Sequence, residues 1–268
     1  MTVPVLLVTM PALVRSIAAT AKGMKAQELA NSFWATAQLQ DACPEVLEMV
    51  PALVKQIPGK AGDMKPQHLS NSLWATAKLQ DAVPEVLNIV QALVEEIPAK
   101  AGDLKPQELS NILWAAANLH DKDAAVLKVV AAVVRQITQK PGAMNPQDLA
   151  TNLWAAGQLQ DAAPKVLQVV PAVVPQIPAK AAEMIPQHLS NSLFAAMRLA
   201  DAVPEVLEAV PALVKEVPSK IGSMKPQELA NSLEALVVLE ERLPIVELPG
   251  IATATAAQLK QILPTGEG

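Results

Sequence analysis

From Met24 to Ser223 the hydrophobic and polar residues follow one pattern that recurs every 40 residues without slipping. The copy at 64–103 shows it well. With Leu69 at the origin of a helical wheel and about 100° per residue, Leu69, Leu73, Thr76, Ala77 and Leu79 fall on one broad face. Gln67, Asn71 and Lys78 fall opposite, within roughly 40° of one another, and Trp74 is read on the shoulder between the two faces. In the second half, Val86, Leu87, Val90, Leu93, Val94 and Ile97 keep a helical spacing despite their β-branched members. The Val-rich copy at 166–177 keeps that spacing too and shows no alternation. Each copy is therefore predicted to be a helical hairpin, with helix A near 66–80 and helix B near 84–97.

The helix starts share the form Asp-x-x-Pro, as in Asp63-Met-Lys-Pro66 and Asp81-Ala-Val-Pro84. Asp is expected to cap the first turn, and Pro is tolerated there because its missing N–H has no helical partner. Prolines then recur seven apart in helix B, at Pro44, Pro51, Pro58 and at Pro164, Pro171, Pro178. A proline inside a helix costs about 3 kcal/mol. Helix B is thus expected to kink or split near Pro51, Pro171 and Pro211, with its prolines on the outer side. Gln91 and Ala131 hold the middle slot in two copies.

Neither helix buries its apolar face alone, but stacked hairpins do. The expected fold is all-α: a right-handed α-solenoid of about six stacked 40-residue helical hairpins. Pro4, Leu7 and Pro11 align with Pro44, Leu47 and Pro51, so residues 1–23 read as the second half of an incomplete N-terminal repeat. Repeats fill 24–63, 64–103, 104–143, 144–183 and 184–223, with a partial copy at 224–240. Residues 241–268 read as a C-terminal capping segment, with a last helix over Ala252–Leu263 and a frayed tail from Pro264 to Gly268.

Composition changes this picture little. Hydrophobic residues make up 51%, ample for a core, while the net charge of −5 does not by itself argue for nucleic acid. The one cysteine, Cys43, excludes an intramolecular disulfide framework and a multi-cysteine metal site. Its slot holds Val83, Asp123, Ala163 and Val203 elsewhere, so it reads as incidental. No apolar run reaches the roughly 18–20 residues of a membrane span. Met1–Val14 loosely imitates a secretory signal, but it lacks a basic n-region and keeps repeat register. No Arg- and Ser-rich transit peptide is visible.

No Gly-rich phosphate loop, His-rich metal cluster or Ser–His–Asp set is present, so neither an enzyme nor a cofactor is expected. His68 and His188 share a slot with Glu28, Glu108 and Asp148, which reads as solvated helix surface; His120 is a turn variant of Gln80.

Four sets of repeated positions carry candidate function. Trp34, Trp74, Trp114 and Trp154, with Phe194 in the fifth copy and Glu234 in the sixth, either pack neighbouring units or offer stacking platforms. Asn31, Asn71, Asn111, Asn191 and Asn231, with Thr151 as the exception, form either a hydrogen-bonded ladder or a row of amides for a ligand backbone. Seven residues on, Gln38, Lys78, Asn118, Gln158, Arg198 and Val238 change identity from copy to copy, as a freely drifting or a reading position would. Lys60, Lys100, Lys140, Lys180 and Lys220, joined by Lys65 and Lys105, line one edge. Asp41, Asp81, Asp121, Asp161 and Asp201 line the other. The basic edge meets the A-helix N-termini, whose partial positive charge favours phosphate.

The helix A text Pro-Gln-Glu-Leu-Ser-Asn-Ile-Leu-Trp-Ala-Ala-Ala-Asn-Leu at 106–119, with its siblings, resembles the Leu-Ala-Asn-x-Leu-Trp-Ala-x-Ala-x-Leu signature of octotricopeptide repeats. It is also similar to the helical repeats of FAST-kinase-domain and RAP-domain proteins, and the resemblance covers about residues 24–240. It implies an α-solenoid of mitochondria or chloroplasts that binds organellar transcripts and steers their stability, processing or translation. By position, Asn31, Gln38, Gln67, Asn71, Lys78, Asn111, Asn118, Thr151, Gln158, Asn191 and Arg198 become the candidate contacts. The expected partner is single-stranded RNA. An extended peptide bound as armadillo-type scaffolds bind theirs is the alternative, and an orphan structural repeat without a ligand is the second. No membrane and no small-molecule cofactor are expected.

Overall fold

The structure, a computed structural model, describes residues 3–140, 144–243 and 248–262. All regular elements among the described residues are helical. The tail expected to fray, Pro264–Gly268, lies outside them. The long N-terminal helix α1 spans Val3–Thr20. Helix A of successive copies is α2 (Ala26–Leu39), α4 (Pro66–Leu79), α6 (Pro106–Leu119), α8 (Pro146–Leu159), α11 (Pro186–Leu199) and α13 (Pro226–Glu240). The α-helical parts of helix B are α3 (Val50–Gln56), α5 (Val90–Lys100), α7 (Val130–Gln139), α9 (Val170–Val173), α10 (Ile177–Lys180) and α12 (Val210–Lys220). A last helix, α14, spans Leu248–Ile262.

Proline stands at the first position of α4, α6, α8, α11 and α13, as the spacing predicts. The cap differs from expectation. The N-cap of α4 is Lys65, not Asp63, and its backbone N–H donates to Nδ1 of His68 at 3.3 Å. Lys25, Lys105 and Lys225 likewise donate to Glu28, Glu108 and Glu228 at 2.8–2.9 Å. Asn145 and Asp148 bond reciprocally, a full capping box. The slot therefore closes a cap at Glu28, His68, Glu108, Asp148 and Glu228, and His68, Glu108 and Asp148 are buried there and not solvated; Glu28 caps from an exposed position, and half-buried His188 closes no cap.

Helix B is split, but not by its prolines. Each copy begins with a six-residue 3₁₀ segment, at Pro44–Met49, Pro84–Ile89, Ala124–Val129, Pro164–Val169 and Pro204–Ala209. The α-helical part then starts at Val50, Val90, Val130, Val170 or Val210. The split is the same where Gln91 or Ala131 replaces proline, so proline is tolerated at a break that the unit already has. A 3₁₀ turn takes three residues, so i and i+3 eclipse. This aligns Val86 with Ile89, and Val126 with Val129, as one buried stripe. The 3.6-residue pattern had omitted Ile89. Pro175 is an extra proline, where other copies have Lys55, Glu95, Arg135 and Lys215, and there the helix is broken again, at Val174–Gln176; in the first copy the α-helix also ends early, giving way to a 3₁₀ segment at Pro58–Asp63. Pro51, Pro171 and Pro211 are exposed, as expected of an outer side.

The chain divides into two compact units, Met1–Gln136 and Ile137–Gly268. In the first, α2 packs on α4 and α4 on α6. Beside them, α1 packs on the 3₁₀ segment at Pro44–Met49, α3 on that at Pro84–Ile89, and α5 on that at Ala124–Val129. The core lies between this layer of A helices and the layer of B segments. Leu69, Leu73 and Leu79 come from one side, and Val86, Ile89, Leu93 and Ile97 from the other. In the second unit α8 packs on α11, α11 on α13, and α13 on α14.

Gly157 sits inside α8 in a slot held by Ala37, Ala77 and Ala117 elsewhere. A Cβ there meets Ala195 and Arg198 at an ordinary 3.7 Å. Gly157→Ala is thus expected to stabilise the protein by about 0.5–1 kcal/mol through reduced backbone entropy, measured as a higher urea midpoint. A lower midpoint would refute the fit of that slot.

Candidate functional site

Four residues of each A helix share one surface stripe. On α4 these are Gln67, Asn71, Trp74 and Lys78, spaced i, i+4, i+7, i+11. Gln67 and Lys78 are exposed, Asn71 and Trp74 half-buried. Trp74 thus belongs with the polar residues and not on a shoulder. It follows Asn71 by three residues and precedes Lys78 by four, separations that place side chains on the same helix face.

In the first unit the Trp74 and Trp114 rings lie 6.0 Å apart between centroids, tilted by 35°. The Lys78 ammonium stands 5.6 Å from one ring and 5.0 Å from the other, within reach of a cation–π attraction to both. Trp34, Asn31 and Gln38 on α2 are exposed, and Asn111 and Asn118 on α6 are half-buried. The Asn118 amide donates to its own helix, to the Trp114 carbonyl at 2.7 Å. In the second unit α8 offers Thr151, Trp154 and Gln158, and α11 offers Asn191, Phe194 and Arg198. Arg198 donates to Gln158 at 3.4 Å, joining two variable slots. The tryptophans therefore pack on neighbours and keep an open side at once.

The asparagines do not tie the helices together. The ladder is built by residues that the sequence pattern did not single out. Gln40 donates to the carbonyl of Lys78, Gln80 to that of Asn118 and Gln160 to that of Arg198, at 3.2–3.3 Å. Ser70 and Ser190 donate to the carbonyls of Glu108 and Glu228 at 2.9 Å. Each bond spans 38 residues. The signal for them was the repeated Leu-Gln at the end of helix A. Asn231 alone of its column shows a side-chain bond, accepting from Gln227 on its own helix at 2.7 Å.

Part of the basic edge is structural. Lys100 donates to the carbonyls of Gly62 and Met64 at 2.7 and 3.0 Å, and pairs with Glu96 at 3.1 Å. Lys220 donates to the Ala182 carbonyl at 3.2 Å and Lys180 pairs with Glu183 at 3.1 Å. Lys60 is half-buried, while Lys65, Lys105 and Lys140 are exposed. On the opposite edge Asp81 pairs with Lys122, and Asp201 with Arg242 at 2.6 Å. The hydrogen bond from Arg242 and its charge hold the Asp201 carboxyl below its ordinary range.

Cys43 donates to Glu45 at 3.2 Å, and this bond together with burial pushes its thiol pKa up, the reverse of nucleophile activation. Among the described residues no group of three His, Cys, Asp or Glu is placed to hold a metal, and no helix is long and apolar enough to cross a membrane. Fold and stripe together define a protein of repeated helix pairs. No protein-family model matches the chain, and no curated protein is significantly similar to it.

Two expectations follow. Ser70→Ala removes the donor of a buried bond and is expected to cost about 1 kcal/mol. Asn71→Ala removes no internal bond and gains helix propensity, so it should be neutral or stabilising by a few tenths of a kcal/mol. Urea denaturation separates them, and equal losses would restore the asparagine ladder. Burial lowers the pKa of His68 and His188 below the ordinary 6.5, the Lys65 charge adding to it at His68. The unfolded chain therefore takes up protons first. The stability these neutral rings contribute is present above that value and is lost as pH falls through their lowered folded values. Urea midpoints between about pH 7.5 and 5 should drop less for the His68→Gln, His188→Gln double variant than for the parent.

Proposed function

We propose that this chain is a right-handed α-solenoid of about six stacked 40-residue hairpins that binds single-stranded RNA without catalysing a reaction. What carries this reading is the cluster on α4 and α6. Half-open Trp74 and Trp114 rings stand beside Lys78, with the amides of Asn71 and Asn111 on the same stripe. Bases stack on exposed aromatic faces without regard to sequence. An amide both donates and accepts, so it suits a base edge or a sugar. The slots at Gln38, Lys78, Asn118, Gln158 and Arg198 would then discriminate, one per copy, as helical RNA-reading repeats do. The resemblance to octotricopeptide repeats supports this reading and implies work on organellar transcripts, in a mitochondrion or chloroplast.

One observation favours the second reading, an extended peptide held by the same amides. Lys100 and Lys220 are engaged internally and the net charge is −5, which thins the phosphate track.

Crosslinking in the native cell, followed by sequencing of recovered RNA and identification of recovered peptides, separates the two. RNA enriched above background is expected. Binding of such RNA in vitro should weaken steeply as salt rises. The Asn71→Ala, Asn111→Ala double variant should bind about 3- to 30-fold more weakly at unchanged stability. Recovery of no RNA above background would sink the reading.

A further inference from the structure

In the second unit α8 holds the variable-slot residue of α11 at three points. Gln160 donates to the Arg198 carbonyl at 3.3 Å. The β-carbon of Arg198 lies 3.7 Å from the point that a Cβ on Gly157 would occupy, so the side chain starts out close against α8. Nη1 of the guanidinium then donates to Oε1 of Gln158 at 3.4 Å, across 40 residues. Arg198 is exposed and Gln158 half-buried. Phe194 and Trp154, both half-buried, stand four residues before Arg198 and Gln158 and share their helix faces.

A guanidinium only donates, so it takes the amide oxygen of Gln158 and leaves that side chain its NH2. What the pair offers a ligand is therefore a row of donors with one positive charge. The two purines stack alike but differ at the edge such a row would read. Guanine sets two acceptors, O6 and N7, side by side, whereas adenine sets its N6 amine beside N7. The planar arginine fork matches O6 and N7, while an amine facing the fork leaves donors unpaired. Cytosine also sets two acceptors together, N3 and O2, but on a smaller ring with less area to stack. We propose that Gln158 and Arg198 read one guanine between them, Arg198 meeting the base and Gln158 positioning it. The copies at 144–183 and 184–223 then share a base and do not read independently. This rests on the RNA-binding reading above. The first unit shows the same dependence on a neighbour: the Lys78 ammonium lies nearer the Trp114 ring of the next copy, at 5.0 Å, than its own Trp74 ring, at 5.6 Å.

The test uses the full chain and short uridine oligomers carrying one central guanine, adenine, cytosine or 7-deazaguanine, followed by fluorescence anisotropy. The guanine oligomer should bind about 5- to 100-fold more tightly than the adenine one, and 7-deazaguanine, which lacks N7, should lose most of that advantage. Arg198→Lys keeps the charge but not the fork, so the guanine preference should fall to about twofold or less. Affinity for the plain uridine oligomer, and its salt dependence, should stay. Gln158→Met should cut the preference severalfold with Arg198 in place, and add nothing once Arg198 is lysine. Neither side chain is buried, so unchanged urea midpoints are expected for both variants. Guanine bound no better than adenine or cytosine, or a preference that survives Arg198→Lys, overturns the proposal and leaves RNA binding standing. No binding of any oligomer up to about 1 mM overturns both.

Discussion

Side-chain donors that end on main-chain carbonyls of the next A helix, always 38 residues away, are the constraint on which the rest of this structure depends. Gln40, Gln80 and Gln160 act at the helix end, and Ser70 and Ser190 near the start. An inserted residue would turn the following helix positions by about 100° and pull donor from acceptor. The unbroken 40-residue spacing follows from that. Because the acceptor is backbone, the ladder does not depend on which side chain stands at the same residue. Lys78, Asn118 and Arg198 lend their carbonyls to the ladder while their identities change from copy to copy. The slot can vary because the ladder holds only its carbonyl.

Helix A thereby divides its circumference among three tasks. Leu69, Leu73 and Leu79 fill the core, Ser70 and Gln80 lock the next helix, and Gln67, Asn71, Trp74 and Lys78 remain on the stripe. The stripe mixes aromatic faces, amide groups and cations. Charge is handled separately. Lys100 and Lys220 spend their ammonium groups on carbonyls 36 to 38 residues back, and Asp81 and Asp201 find cations 41 residues on.

Helix B shows how local propensity yields to packing. Its six-residue 3₁₀ starts are longer than such segments usually run. They persist because they align Val86 with Ile89 and Val126 with Val129 on the buried side. Proline sits on the exposed side of a break that occurs with or without it, and Pro175 adds a break of its own.

Much of the fold was legible in the sequence. The 40-residue period, the helical hairpin, the proline at the start of helix A and the apolar face of Leu69, Leu73 and Leu79 are local and periodic properties, and a chain carries these openly. The site was half legible: Asn71 and Lys78 were found on one face, but Trp74 was separated from them and Gln80 and Ser70 were passed over. His68, Glu108 and Asp148 looked solvated because polar residues usually are, yet each is buried where it closes a cap. Their burial and the internal duties of Lys100 and Lys220 depend on which helix lies alongside. The sequence determines what each helix face is made of. Only tertiary packing decides which polar groups meet a partner, because hydrogen-bond partners 38 residues apart leave no mark in local periodicity.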